Sequence, residues 1–256
     1  MDIVHEEEIL SPMPYVKGAA VHHRVVGGHL QKIFLVEFHR TVEVLSTLGG
    51  FRKVKAVGNV NLHHSLWEEE WTLDSLTSTA AEIIGVDPRD VAFLFTGVNV
   101  DNIAFSTQSF RDLVVWVAAT AGKGNAMKAG VDQGRYLQKG SRWEEVGTVN
   151  IMVFINKAMT RGAMVNSIIR VTEAKAGVFQ DLGIRSAYTP QVLATGTGTD
   201  NVIVAAWGAS AEVFTSAGGH TKLGELVAKG AREAVLEAFY KHDGLRLEAS
   251  SLLERG

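Results

Sequence analysis

Residues 147–183 constrain the fold more than any other stretch. They open G-T-V-N-I-M-V-F-I-N, where residues 149–155 are almost wholly β-branched, aromatic or apolar on both faces. Such a run fits a strand covered on both sides. The continuation is helical in period. Met164, Ile168, Val171, Val178 and Leu182 fall on one line at 3.6-residue spacing, with Val165, Ile169, Ala176 and Phe179 beside it. Gly183 is placed to end that helix. The opposite face carries Asn166, Arg170, Glu173 and Gln180, whereas Lys175 projects from the middle of the apolar arc. Two readings of Lys175 stand: a stem packed on apolar surface with its head in water, or a cation held at a pocket edge. Glu173 and Lys175 are two residues apart, roughly 160–200° around the helix, so they should not pair with each other.

The rest of the chain supplies the partners for this unit. Residues 16–46 alternate as strands around Gly27-Gly28, a hairpin signal, and residues 54–62 form a further strand after Gly49-Gly50. Residues 1–15, broken by Pro12 and Pro14, read as loose or edge-lying. Asp74 is placed to cap a helix running to Ile84, and strands follow at 91–96 and 112–120. Residues 97–110 fit no single pattern. The acidic group 68–70 and residues 130–146 read as solvated surface. A strand over 202–207 and a helix from about 221 to Tyr240 close the pattern. The expectation is an α+β fold: a single layered domain over 1–256, with a mixed β-sheet, an antiparallel N-terminal part and packing helices. No linker, repeat or low-complexity tract divides it.

Chemistry is expected where glycine-rich polar turns meet strand ends. Four such clusters occur, at 120–125, 147–150, 195–200 and 215–222. Glycine turns let backbone N–H groups approach a ligand, and Asn and Thr side chains add further donors. Thr120, Asn125, Asn150, Lys175, Thr197, Thr199, Gly218, Gly219 and Thr221 are therefore candidate substrate contacts. His220 follows Gly218-Gly219 at a helix start. The helix field there favours neutral imidazole, which fits a general base. Asp200, on a glycine turn before a strand, fits a carboxylate that orients a base or water, or a plain turn cap. Glu173 is the third catalytic candidate. Ser216, Thr120 and Thr148 are available hydroxyl nucleophiles.

Several classes are excluded. The 195–200 turn lacks both the Gly-Lys-Ser/Thr of a phosphate loop and the third glycine of a dinucleotide fingerprint. A net charge of −3 disfavours nucleic acid. With no cysteine there are no disulfides, thiolate nucleophiles or thiolate metal sites, which fits a cytoplasmic protein. The adjacent pairs His22-His23 and His63-His64 point to opposite sides of a strand, so no metal site is expected, nor any cofactor. No leader-like N-terminus and no membrane-length apolar run occur.

Five segments taken together, A-T-A-G-K-G-N-A, G-T-V-N-I-M-V-F-I-N, T-E-A-K-A-G-V-F-Q-D-L-G-I, A-T-G-T-G-T-D-N-V-I-V-A and G-G-H-T-K-L-G-E-L, resemble the CbiZ family of adenosylcobinamide amidohydrolases. The match in order and spacing spans roughly residues 42–239, with residues 1–40 reading as a variable extension. The resemblance implies hydrolysis of the amide that joins the aminopropanol arm to a corrinoid ring, in salvage towards coenzyme B12. It implies a corrinoid small-molecule partner and leaves a homo-oligomer open. A corrinoid- or nucleotide-binding module without chemistry and an acyltransferase are the competing expectations.

Overall fold

The computed structural model describes residues 2–63, 72–134, 149–208 and 212–247. The acidic group at 68–70, Thr148 and most of the 130–146 loop lie outside the described residues. Strands β2 (Val16–Val26), β3 (His29–Ser46) and β4 (Gly50–Asn61) form the antiparallel meander expected from the sequence, and β1 (Asp2–Glu8), in a stretch expected to be loose or edge-lying, pairs with β2. β5 (Val91–Phe95) joins β4 in parallel. Residues 97–110, ambiguous in sequence, form a short 3-10 turn at Val100–Asn102 and then strand β6 (Ala104–Phe110). β6 pairs with β7 (Leu113–Thr120), β7 with β9 (Asn150–Ile155), and β9 in parallel with β12 (Asn201–Ala206). The end of β3 closes the path by pairing with β12. Two ribbons stand apart from this sheet: β8 (Ala126–Met127) with β11 (Gly196–Thr197), and β10 (Ala158–Met159) with β13 (Val213–Phe214).

The sheet is mixed, and β3 is the strand that curls it. The first part of β3 pairs with β2, while its last residues pair with β12 and β4 follows its other edge throughout. Its register with β4 slips between Glu37 and Val42, and an irregularity of this kind bends and twists a strand. The two ends of the sheet are thereby brought face to face. Alternation along the strands then sorts the side chains. Phe34, Val36 and Phe38 of β3 meet Trp116, Met152, Phe154 and Ile203 in the interior between the strand layers. Ile33 and Leu35 point outwards and are covered by α1 (Leu73–Ile84) through Leu76, Ala80 and Ile83. Val115, Val117, Ile151, Val153 and Val204 are covered by α2 (Arg161–Asp181) and α3 (Lys222–Asp243). β9 is buried at every position, as a strand covered on both faces must be. In the interior Trp116 stacks on Phe105 at 5.6 Å and lies 4.8 Å from Phe154, and each such pair adds about 0.5–1.5 kcal/mol beyond its buried area.

The helix ends obey local chemistry. The cap of α1 is Thr72 rather than Asp74. Thr72 has an extended backbone, its hydroxyl accepts the Ser75 N–H, and Ser75 returns the bond. Asp74 sits one position inside the helix, where its charge favours the N-terminus. α2 ends at Leu182, followed by Gly183 at φ 63°. Met164, Val171, Val178 and Phe179 are buried, but Val165 and Ile169 remain 45% and 43% exposed, so the apolar arc is wider than the surface it covers. α3 carries a 5.2 Å edge contact from Phe239 to Phe179 of α2. Among the described residues no helix is long and apolar enough to cross a membrane.

Gly58 marks the tightest approach in the β3–β4–β5 layer. A Cβ there would stand 2.8 Å from the Phe34 carbonyl oxygen and 2.8 Å from the Phe93 ring. Backbone on one side and a buried ring on the other leave nothing that can yield. Gly58→Ala is expected to cost about 1–3 kcal/mol of stability, read as a lower denaturation midpoint at unchanged slope.

Candidate active site

The strand register gathers the polar turns at one end of the sheet. Thr120, the last residue of β7, lies opposite Asn150, the first of β9, and Asn150 lies beside Asn201, the first of β12. The 121–125 turn, Val149 and the 195–200 turn therefore meet. The β8–β11 ribbon links the first turn to the third, and Asn125 Nδ2 donates to Thr199 Oγ1 at 3.3 Å. Lys175, on the stretch of α2 that ends over the same edge, reaches in from the helix side.

Asp200 ties these pieces together. Its Oδ1 accepts from the Val149 N–H at 3.0 Å and from the Thr197 hydroxyl at 2.5 Å. Its Oδ2 accepts from the Thr197 N–H at 3.0 Å and from Lys175 Nζ. The two side chains of the ion pair are only 15% and 10% exposed. Lys175 thus does not send its head into water; it is held in a largely buried ion pair. A carboxylate offers about four lone-pair sites, and here four donors occupy them. Asp200 thereby joins the entry of β9, the 195–200 turn and α2. Gly196 explains how the pair fits, because a Cβ there would run into both Asp200 Oδ2 and Lys175 Nζ.

Thr120 and Asn150 turn to the other side of the same strands, into the interior layer. Both are buried and bond to Asn59 of β4. Asn59 is not among the site residues expected from the sequence, although Asn59 and Asn61 among apolar neighbours in a strand were a usable signal.

Gly218, Gly219, His220 and Thr221 form a separate group. Thr221 caps α3, accepting the Gly224 N–H at 3.0 Å, so His220 precedes the helix rather than starting it. His220 is exposed. Its neighbour Gly219 abuts the Arg170 guanidinium, and Arg170 donates to Glu173 at 2.7 Å, while Glu173 is itself 56% exposed. Glu173 and Lys175 therefore take different partners. Arg170 and Lys175, five residues apart, project about 140° apart around α2. α3 spans 22 residues, about 33 Å, and its last turn reaches the 121–125 turn, where Asp243 accepts the Lys123 N–H at 3.2 Å. His220, at the far end of that helix, stands apart from the Asn125 end of the site. Ser216 is exposed and accepts the Gly218 N–H at 3.2 Å.

A second carboxylate braces the flank. Asp132 accepts from the Lys128 N–H at 2.5 Å, the Ser186 hydroxyl at 2.7 Å and the Thr189 hydroxyl at 2.5 Å, joining two loops that flank the β8–β11 ribbon. These bonds, the Lys128 N–H foremost, hold its carboxyl below the usual aspartate range. Among the described residues no group of three or more His, Asp or Glu side chains is arranged to hold a metal ion.

The family model for adenosylcobinamide amidohydrolase, CbiZ, matches residues 14–247. The chain belongs to the CbiZ family. This CbiZ protein is 38% identical over 228 residues to the uncharacterized protein MJ1613 of Methanocaldococcus jannaschii, covering 84% of this chain and 89% of that one. Among solved structures, the PH0078 protein of Pyrococcus horikoshii OT3 aligns over 99% of this chain and 95% of its own, with a TM-score of 0.46 and 10% identity. The L-aminopeptidase D-Ala-esterase/amidase of Ochrobactrum anthropi aligns over 89% and 83%, with a TM-score of 0.39 and 12% identity. These two likenesses are distant, and no residue role passes from them to the CbiZ chain. Family membership makes the chain a hydrolase acting on amides.

Two outcomes follow from the site's geometry. Gly196→Ala should part Lys175 from Asp200, lowering stability by about 3 kcal/mol in chemical denaturation, since half of a buried pair left alone is costly. For Asp132, the folded carboxyl titrates below its unfolded value. Its stabilising contribution is therefore complete above the ordinary aspartate value of about 3.9 and fades as pH falls towards the folded value. Asp132→Asn should lower the melting temperature at pH 7, and the gap to the parent protein should narrow below about pH 4. A gap that stays constant with pH would show that the carboxylate charge is not what fastens the loops.

Proposed function

We propose that this CbiZ protein hydrolyses the amide between the corrinoid ring and the aminopropanol arm of adenosylcobinamide, releasing adenosylcobyric acid and aminopropanol. The observation that carries this reading is the buried Lys175–Asp200 pair at a glycine turn, where three strand ends and two polar loops meet. Amide hydrolysis adds water to the carbonyl carbon, breaks the C–N bond and delivers a proton to the leaving amine. Charge develops on the carbonyl oxygen, and preorganised donors aimed at it lower the barrier. Lys175, held by Asp200, offers N–H donors for that oxygen or a proton for the amine. Thr197, Thr199 and Asn125 frame the same turn and suit the amide-fringed edge of a corrinoid.

A second reading gives the water-activating step to His220, favoured by its exposure and its glycine-framed approach. One set of assays separates the two. Adenosylcobinamide is incubated with the protein and free aminopropanol is measured. Lys175→Met should lower turnover by at least about a hundredfold, the scale of one charged transition-state contact, while adenosylcobinamide still binds. His220→Ala should cost less than about tenfold if chemistry sits at Lys175, and about a hundredfold or more if His220 is the base. Binding of adenosylcobinamide without any aminopropanol release by the parent protein would make the chain a binding module instead.

A further inference from the structure

The interior layer between the strands is apolar except at one end. Down β7 the inward residues run Trp116, Ala118, Thr120, and up β9 they run Phe154, Met152, Asn150, paired in register. The last pair is polar, and Asn59 reaches it from β4 in the facing layer. Asn59, Thr120 and Asn150 are 1%, 0% and 1% exposed. Packing alone would be served as well by apolar side chains at these positions, since buried amides and hydroxyls gain little net stability even when fully bonded.

The bonds fix a direction. A backbone carbonyl can only accept, so the atom of Asn150 that lies 3.0 Å from the Phe95 oxygen is Nδ2. The same Nδ2 lies 2.7 Å from Asn59, which must present Oδ1 to it. Asn59 Nδ2 then faces Thr120 Oγ1 at 2.9 Å and donates to it. The Thr120 hydroxyl is thus an acceptor towards Asn59 and keeps its proton for another partner. Asn150 spends both N–H groups, on Asn59 and on the Phe95 carbonyl. One residue on from each, the chain enters the candidate site. Thr120 leads into the turn that carries Asn125, and Asn150 follows Val149, whose N–H is held by Asp200.

We infer that Asn59 is a positioning residue for the hydrolysis: it sets the hydrogen-bond direction of Thr120 and Asn150 and so holds the two strand ends that carry the site from the interior side. The inference rests on the proposed amide hydrolysis. Asn59 touches no reacting atom and acts through Thr120 and Asn150, so its loss should appear in turnover more than in substrate affinity.

The test is a double-substitution cycle with adenosylcobinamide as the probe, reading kcat, KM and melting temperature for Asn59→Leu, Thr120→Val, the double variant and Thr120→Ser. Each of the first two should lower kcat by about tenfold or more while KM stays within about threefold. The double variant should be no slower than the slower single, because both break one unit. Thr120→Ser, which keeps the hydroxyl, should retain most activity. If Asn59→Leu does not fold, Asn59→Ala takes its place: it makes neither bond, and the same loss is expected. A folded Asn59 variant with kcat within about twofold of the parent, or independent losses that multiply in the double variant, would overturn the role. Should the parent protein release no aminopropanol, the hydrolysis reading fails by itself. The cycle is then read in the melting temperatures of the ligand-free variants, since holding the two strand ends together is the part of the role that needs no chemistry. A shared loss there upholds Asn59 as the positioning residue, and independent losses refute it.

Discussion

One carboxylate with four donors organises this protein's polar end. The Asp200 side chain takes backbone N–H groups from Val149 and Thr197, the Thr197 hydroxyl and the Lys175 ammonium. Those donors belong to the entry of β9, the turn before β12 and the second helix. A charge removed from water is tolerated only when its partners are complete, and completeness here requires all three segments to be in place together. The ion pair is therefore a statement about registration. It fixes how far α2 lies along the sheet, and it fixes the turn that carries Thr197 and Thr199. Gly196 is the accommodation that this arrangement demands of the backbone.

Much of the fold was legible in the sequence because period and burial agree. The run at 150–155 has no polar face, and the structure covers both faces. The meander of β2, β3 and β4 followed from alternation and paired glycines. What was not legible is how β3 bends. The exposed polar run His39-Arg40-Thr41 marks the slip between Glu37 and Val42, but not that the strand runs on through it and turns one sheet into two facing layers. The cap of α1 was misplaced by two residues because both Thr72 and Asp74 are cap-forming types, and only the backbone angles at Thr72 decide.

The candidate site was legible in composition but not in grouping. Glycine, threonine and asparagine at strand ends marked Thr120, Asn125, Asn150, Thr197, Thr199 and Asp200, and register brings these together. Lys175 on an apolar arc admitted two readings, and only the partner 25 residues away distinguishes them. Gly218, Gly219, His220 and Thr221 carry the same composition at a helix start, yet they sit with Arg170 on another side of α2. Asn59 had only its polarity among apolar neighbours, with Gly58 before it, to announce it. Its meaning comes from the facing layer, which no local pattern encodes.

The pairing of β3 with β12 also has a consequence in time. Thr47 and Val202, which exchange a hydrogen bond at 3.0 Å, are 155 residues apart in the chain. Closing so long a loop delays the contacts that reward it. At about 5–20 residues per second, synthesis takes roughly 8–30 s to supply the missing stretch. Through much of that interval Phe34, Val36, Phe38, Val42 and Val44 belong to a half-built interior, because the strand that joins β9 to β3 is still missing. Until β12 emerges, the curled antiparallel ribbon keeps part of its apolar inner face open to neighbouring chains and to chaperones.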